Sequence, residues 1–222
     1  MPSPAAIPGD LDALPDEQLM AAYAGGDAHA FDALYARHES ALYRFIRRLL
    51  GMRLAAEADD VFQATWGRVV SARDSYSPQR ANWRAWAFTI AYGLAMDRLH
   101  TSGRQVAFYA HDEDGDGLEA ARLFARGLLR DGDPAADDAA NPSAQELAFW
   151  QAAGRRLIAC LDELPDDQRG AFLLHHEDGF TVAAMAAALD LDADTVRTRL
   201  RFGLRKLRGC MERYLSVLGR RE

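Results

Sequence analysis

The chain has 222 residues, 49% of them hydrophobic, with 4 Trp, 10 Phe and a formal charge of −7. That supply of apolar side chains fits one or two packed domains and excludes a wholly disordered chain, while the acidic balance excludes a nonspecific nucleic-acid coat. No apolar run approaches the roughly 20 residues that span a bilayer, so membrane insertion is not expected.

Residues 1–14 open with MPSPAAIPGD. No basic stretch followed by an apolar core appears there, so a secretory signal is not expected and the prolines predict a flexible leader. Asp16 is placed to cap a helix that ends near Ala24, where Gly25 and Gly26 break it. Asp27 is placed to cap a second helix. Along it Phe31, Leu34, Tyr35, His38, Leu42, Phe45, Ile46 and Leu49 recur at spacings of three and four, which sets them on one face. Gly51 ends that helix. A third helix is expected from about Ala55 to Val70, a loop at Ser77–Pro78, and a fourth helix from an Asn82 cap to about His100. No alternating strand pattern interrupts them, so residues 15–105 predict a helical domain.

Residues 106–142 read as an acidic flexible linker. Residues 107–146 hold 3 basic and 10 acidic side chains, against 11 and 11 in 11–106 and 12 and 11 in 147–222. The imbalance falls on a stretch rich in Asp, Gly, Ala and Pro, which buries little surface. A weak helix is expected over Leu118–Arg130. Asp112, Asp114, Asp116 and Gly117 match the first half of a calcium loop, but Leu123 stands where its bidentate acid belongs, so a solvated acidic stretch is the better reading.

A second helical domain, 143–222, opens at Ser143, which with Glu146 fits a capping box. Its first helix is expected to reach Leu164. The next runs from Asp166, after Pro165, to Glu177, and Asp178–Gly179 ends it. Thr181 to Arg208 then reads as a short Ala-rich helix, a tight turn at Asp190, and a longer helix capped by Asp192. From Thr195 to Arg208 there are six basic residues and no acid. Val196, Leu200, Leu204, Leu207, Met211 and Leu215 form its apolar stripe, and Arg197, Thr198, Arg201, Arg205 and Arg208 fall off that stripe. A compact helix, a turn and a basic helix make the helix-turn-helix that enters the DNA major groove. Arginines near the helix start suit guanine O6 and N7; Arg205 and Arg208, farther along, suit phosphates. A solvated, salt-bridging helix face is the plainer alternative, and the preceding helix and turn weigh against it.

Cys160 and Cys210 are far apart and lie in helical patterns, so they read as free buried thiols in a reducing cytoplasm. His175–His176 has no Cys or acid at metal-ligand spacing. No Ser, Cys or His constellation suits nucleophilic catalysis and no Gly-rich phosphate loop follows a strand. No catalytic residue, metal or cofactor is therefore expected, and the chain reads as a non-enzyme.

Both halves resemble one family. Leu164-Pro-Asp-Asp-Gln-Arg169, an apolar helix, Asp178-Gly-Phe-Thr181 and Thr195-Val-Arg-Thr-Arg-Leu200 resemble region 4 of bacterial sigma-70 factors. Asp27 to Tyr35, Leu42 to Ile46, Asp59-Asp60-Val-Phe-Gln63-Ala-Thr65-Trp66, Trp83-Arg-Ala-Trp86 and Leu94-Ala-Met-Asp97 resemble region 2. Two such domains in this order with only a linker between them resemble the extracytoplasmic-function (ECF) group.

The resemblance implies an all-α, two-domain alternative sigma factor, acting in the cytoplasm on core RNA polymerase and promoter DNA. It implies that Asp59, Asp60, Gln63 and Thr65 dock on polymerase, with Phe62 and Trp66 either docking or core. Arg80, Trp83, Arg84, Tyr92, Arg98 and Arg104 are implied at the melted −10 element, where aromatics stack on bases and cations follow the strand. There Trp86 and Ile90 are assigned to the core. Arg169, Thr195, Arg197, Thr198, Arg201, Phe202 and Arg205 are implied at the double-stranded −35 element. An anti-sigma factor is implied as a further partner, and the acidic linker is implied to thread the polymerase near its cleft. The sequence departs from the family at Tyr92–Gly93, where Arg and Asn are usual, and at Phe202, where Arg is frequent. The alternative function is a helix-turn-helix regulator that does not dock on polymerase.

Overall fold

The structure, a computed structural model, describes residues 11–102 and 144–218. Every regular element among them is helical. The expected helix over Leu118–Arg130, the partial calcium motif and the Ser143 cap lie outside the described residues.

The N-terminal half is four helices. Helix α1 spans Asp16–Ala24. Pro15, not Asp16, occupies its cap position; the Asp16 carboxylate instead receives Arg37 at 2.6 Å and His38 at 2.8 Å. Helix α2 spans Ala28–Leu50, and its Asp27 cap accepts the His29 N–H at 3.0 Å. A 3-10 turn, Met52–Glu57, precedes α3, Ala58–Ser71, because Leu54 breaks helical geometry there. Helix α4 spans Trp83–Thr101, and its Asn82 cap accepts the Ala85 N–H at 2.7 Å. Leu34, Leu42, Phe45, Ile46 and Leu49 of α2 are buried, as the spacing predicted. Ala87, Ala91 and Ala95, one turn apart on α4, are buried with them, and such small side chains let helix axes approach closely.

In the C-terminal half, α5 spans Ala144–Asp162 and α6 spans Asp166–Phe172. The expected helix to Glu177 has that extent, but its last five residues, Leu173–Glu177, widen into a π-helical turn. Helix α7, Val182–Leu189, is capped by Thr181, whose hydroxyl accepts the Ala184 N–H at 3.1 Å. Asp190 then takes the left-handed conformation (φ 52°, ψ 48°), which Asp tolerates better than most residues. Asp192 accepts the backbone N–H of Thr195 at 2.7 Å and its hydroxyl at 2.6 Å, starting α8, Ala193–Leu218. Val196, Leu200, Leu207 and Met211 are buried along the stripe, while Leu204 is half-buried and Leu215 exposed.

The free-thiol reading is corrected. Cys160 of α5 and Cys210 of α8 form a disulfide with their Cα atoms 6.0 Å apart. Spacing alone does not reveal it, because only the packing of α5 on α8 brings residues 50 apart in sequence face to face.

The two halves also pack on each other, and one apolar cluster runs through both. Phe88 of α4 meets Phe180, in the loop before α7, with ring centroids 5.4 Å apart. Gly170 of α6 sits against Tyr92 and Leu49, and a Cβ there would lie 2.5 Å from Tyr92 Cε2. Its missing side chain is what allows α6 this close to α4 and α2.

Candidate nucleic-acid interface

Helix α8 presents its basic face to solvent. Arg197, Thr198, Arg201, Phe202 and Arg205 are exposed. A groove beside them is lined by Arg197, Leu200, Arg201, Leu204, Arg205 and Arg208 among others. Phe202 is 39% exposed, and the guanidiniums of Arg201 and Arg205 lie 5.4 and 5.6 Å from its ring centroid. The aromatic that stands in place of a cation therefore holds two cations in position, and such stacking contributes about 0.5–1 kcal/mol at exposed sites. Thr195 is half-buried and spends its hydroxyl on Asp192. Arg197 pairs with Asp194 at 2.6 Å in the open, a contact worth little in water and easily exchanged for a phosphate.

Arg169 is not on this face, which corrects its assignment to the −35 group. It is 4% exposed and held by Asp162 at 3.3 Å and Asp166 at 2.5 Å. Burial draws its pKa below the usual arginine range, against the pull of those two acids. It ties the end of α5 to the start of α6.

Around α4 the assignments divide. Trp83 is fully buried, 4.6 Å from His38 and 6.1 Å from Trp66 by ring centroids. It is core, and its assignment to DNA is corrected. Trp86 and Ile90 are half-buried and pack against the core, with Trp86 against Tyr76 at 5.1 Å. Asn82 caps the first turn, from which Trp83 faces His38 of α2. Arg80 is exposed. Arg98 is exposed and pairs with Glu57 at 3.2 Å. Arg104 lies outside the described residues. Arg84 and Tyr92 face the C-terminal half. Arg84 donates to the Asp178 carbonyl at 2.6 Å, with its guanidinium over Phe88 and Phe180. Tyr92 is half-buried against Gly170, and burial, foremost, pushes its phenol pKa up.

On α3, Asp59, Asp60 and Gln63 are exposed at the start of the helix, where acids also suit the helix dipole. Phe62 is half-buried, in edge contact with Tyr43 at 5.4 Å and Trp66 at 6.3 Å. Thr65 is buried, which corrects its assignment to the docking face, and Trp66 is buried, as its core alternative had it. The Thr65 hydroxyl turns back to the Val61 carbonyl at 2.8 Å, and Trp66 packs on Tyr35 and Phe31. Tyr43, absent from the sequence expectations, joins the acidic edge: burial and a hydrogen bond to Asp59 raise its pKa. Sequence reasoning also missed Arg44, Arg48, Glu177 and Asp178, which pair across the two halves. No periodicity marks them, because their partners lie more than 90 residues away.

Among the described residues no group of three or more His, Cys, Asp or Glu is arranged to hold a metal ion. No described helix is long and apolar enough to cross a membrane.

Comparison with known proteins places these surfaces in a family context. Residues 34–105 match the family model described as Sigma-70 region 2, and residues 154–207 match Sigma-70, region 4. The chain is 28% identical to the ECF RNA polymerase sigma factor SigK of Mycolicibacterium vanbaalenii over 205 residues, covering 92% of this chain and 91% of that one. It is 27% identical to SigK of Mycobacterium tuberculosis (strain H37Ra) over 212 residues, covering 96% and 99%. Its fold is similar to that of CnrH in complex with the cytosolic domain of CnrY, with a TM-score of 0.55 and 25% identity over 89% of this chain and 97% of that one. It is similar in fold to the sigma factor RpoE in complex with the anti-sigma factor NepR from Bartonella quintana, with a TM-score of 0.55 and 20% identity over 82% and 96%.

Proposed function

The chain belongs to the sigma-70 family, in its extracytoplasmic-function group, and from that premise we propose a division of labour among its surfaces. It is an alternative sigma factor: it binds core RNA polymerase and directs promoter recognition at the start of transcription. Asp59, Asp60 and Gln63, with Phe62 and Tyr43 beside them, form the polymerase-docking edge. A mixed acidic and polar helical face of this kind pairs with a basic helical partner. Arg197, Thr198, Arg201, Phe202 and Arg205 read the −35 element. Arg201 and the first turns supply base contacts, and Arg205 with Arg208 holds phosphate. Arg80, Arg98 and Trp86 face the −10 strand, joined by Arg84 and Tyr92 once the halves separate.

The protein acts in the cytoplasm, where polymerase and chromosome meet, and has no catalytic activity of its own. CnrH and RpoE are each held by a second protein in their solved structures. An anti-sigma factor is accordingly the partner expected to restrain this chain. The observation that carries the reading is that both family regions occur in order, each with its candidate contact face open to solvent.

Reconstitution with core polymerase and fragmented genomic DNA tests it. Discrete transcripts that depend on the added chain are expected. Asp60→Lys should lower their yield through polymerase binding, and Arg201→Ala through promoter binding alone. A chain that binds DNA yet starts no transcript would leave the non-docking regulator in its place.

A further inference from the structure

Two consecutive acids at the end of the π-helical turn reach across to the N-terminal helices. Glu177 Oε1 accepts from Arg44 Nε at 2.6 Å and also from Arg48. Asp178 accepts from Arg84 twice, at its carbonyl oxygen (2.6 Å) and at Oδ1 (3.4 Å). The side chains of Glu177 and Asp178 are 6% and 1% exposed. Three guanidiniums from two helices of one half thus converge on two carboxylates of the other. One oxygen of each acid, Glu177 Oε2 and Asp178 Oδ2, is buried without a hydrogen-bond partner.

This arrangement is incompatible with Arg84 and Tyr92 meeting DNA, because Asp178, Phe180 and Gly170 cover them. It also shows what the arginines are suited to hold. Guanidiniums converging on adjacent anionic oxygens match a phosphate as well as they match carboxylates.

We propose that the Glu177 carboxylate is an internal anion, seated with the Asp178 carbonyl in a phosphate-binding site made by Arg44, Arg48 and Arg84. Seated there they hold the free chain closed, and the phosphates of promoter DNA take the site when the halves part. The proposal rests on the sigma-factor reading only for the identity of the incoming strand. A carboxylate pair with unmet hydrogen bonds is displaceable by a ligand that satisfies the arginines better. Burial, then the neighbouring Glu177, pushes the Asp178 carboxyl up to about 7, while Arg84, Arg44 and Arg48 pull the other way. The clasp is therefore held against an electrostatic cost. Closure lowers apparent DNA affinity by the fraction of chains that remain open.

The test uses the full chain, small-angle X-ray scattering and fluorescence anisotropy with a fluorescein-labelled single-stranded DNA of mixed sequence. Glu177→Gln should enlarge the radius of gyration and tighten DNA binding about tenfold. Asp32→Asn, at an exposed position, changes net charge equally and should do neither. Adding Arg44→Gln and Arg48→Gln to the opened chain should return DNA affinity to the starting level while the chain stays expanded. Gly170→Ala, a wedge against Tyr92, should open the chain with every charge intact and serves where the acid variant does not fold. An opened chain with unchanged DNA affinity, a tighter affinity that survives loss of Arg44 and Arg48, or no expansion in either variant would each overturn the proposal. No arm uses polymerase, so failure here and failure of the sigma-factor reading are told apart.

Discussion

At the scale of single residues, burial separates the side chains that a partner can reach from those that it cannot. Asp59, Asp60, Gln63, Arg197, Thr198, Arg201 and Phe202 are exposed where a docking or reading role needs them. Thr65, Trp66, Trp83 and Arg169 belong to the same motifs but are buried. A motif mixes residues that touch a partner with residues that shape the face, and sequence spacing does not separate the two. Trp83 and Trp86 show why: both fit an aromatic at a helix start, and spacing does not tell that Trp83 is fully buried while Trp86 keeps part of its ring exposed.

Asp178 gives the sharpest prediction at this scale. Its pKa in the closed chain, about 7, lies above the ordinary 3.8, so the closed form binds more protons between those values. Stability from this group is present at low pH and is lost as pH rises toward 7. Its charged neighbours are Glu177, Arg84, Arg44 and Arg48. Half-buried His176, drawn down to about 4 by burial and then by His175, works the opposite way on acidification, but wild type and Asp178→Asn share it. Relative to Asp178→Asn, wild type should gain about 2–3 kcal/mol in urea unfolding between about pH 8 and about pH 5. A difference that does not change with pH would show that Asp178 is not held as described.

At the scale of elements, most of the helices were legible. Asp27, Asn82, Thr181 and Asp192 cap where their side chains can reach free N–H groups, and glycines end α1 and α2. Two features had no local signal. The π-helical turn at Leu173–Glu177 leaves no mark in the sequence, which continues as an ordinary helix. The Cys160–Cys210 bond depends on α5 lying against α8. That bond ties α8 to α5. Its reduction removes a constraint on the unfolded chain, so the C-terminal half should lose about 2–4 kcal/mol of stability. Thermal melting with and without a thiol reductant, with thiol titration as the control, checks this. Equal melting curves once two thiols have been released would contradict it.

At the scale of the whole molecule, charge and composition divided the chain into two helical parts and an acidic segment, but they predicted no contact between the parts. The structure joins them through Phe88–Phe180, Tyr92–Gly170 and the Arg44, Arg48 and Arg84 clasp. Interfaces of this kind are assembled from residues distant in sequence, each of which locally resembles ordinary surface or core. In the closed chain the basic face of α8 and the acidic edge of α3 stay exposed, while Arg84 and Tyr92 of α4 are covered. On the proposed assignments, polymerase and double-stranded DNA meet surfaces already exposed, and melted DNA meets surfaces that opening provides.

The docking edge is the most direct test of the central claim that this chain is a polymerase-binding sigma factor. Titrating fluorescently labelled full-length chain with purified core polymerase measures it. The account predicts saturable binding, weakened at least tenfold by Asp60→Lys and unchanged by Arg201→Ala. Absence of saturable binding to core, with the chain folded and still binding duplex DNA, would contradict it.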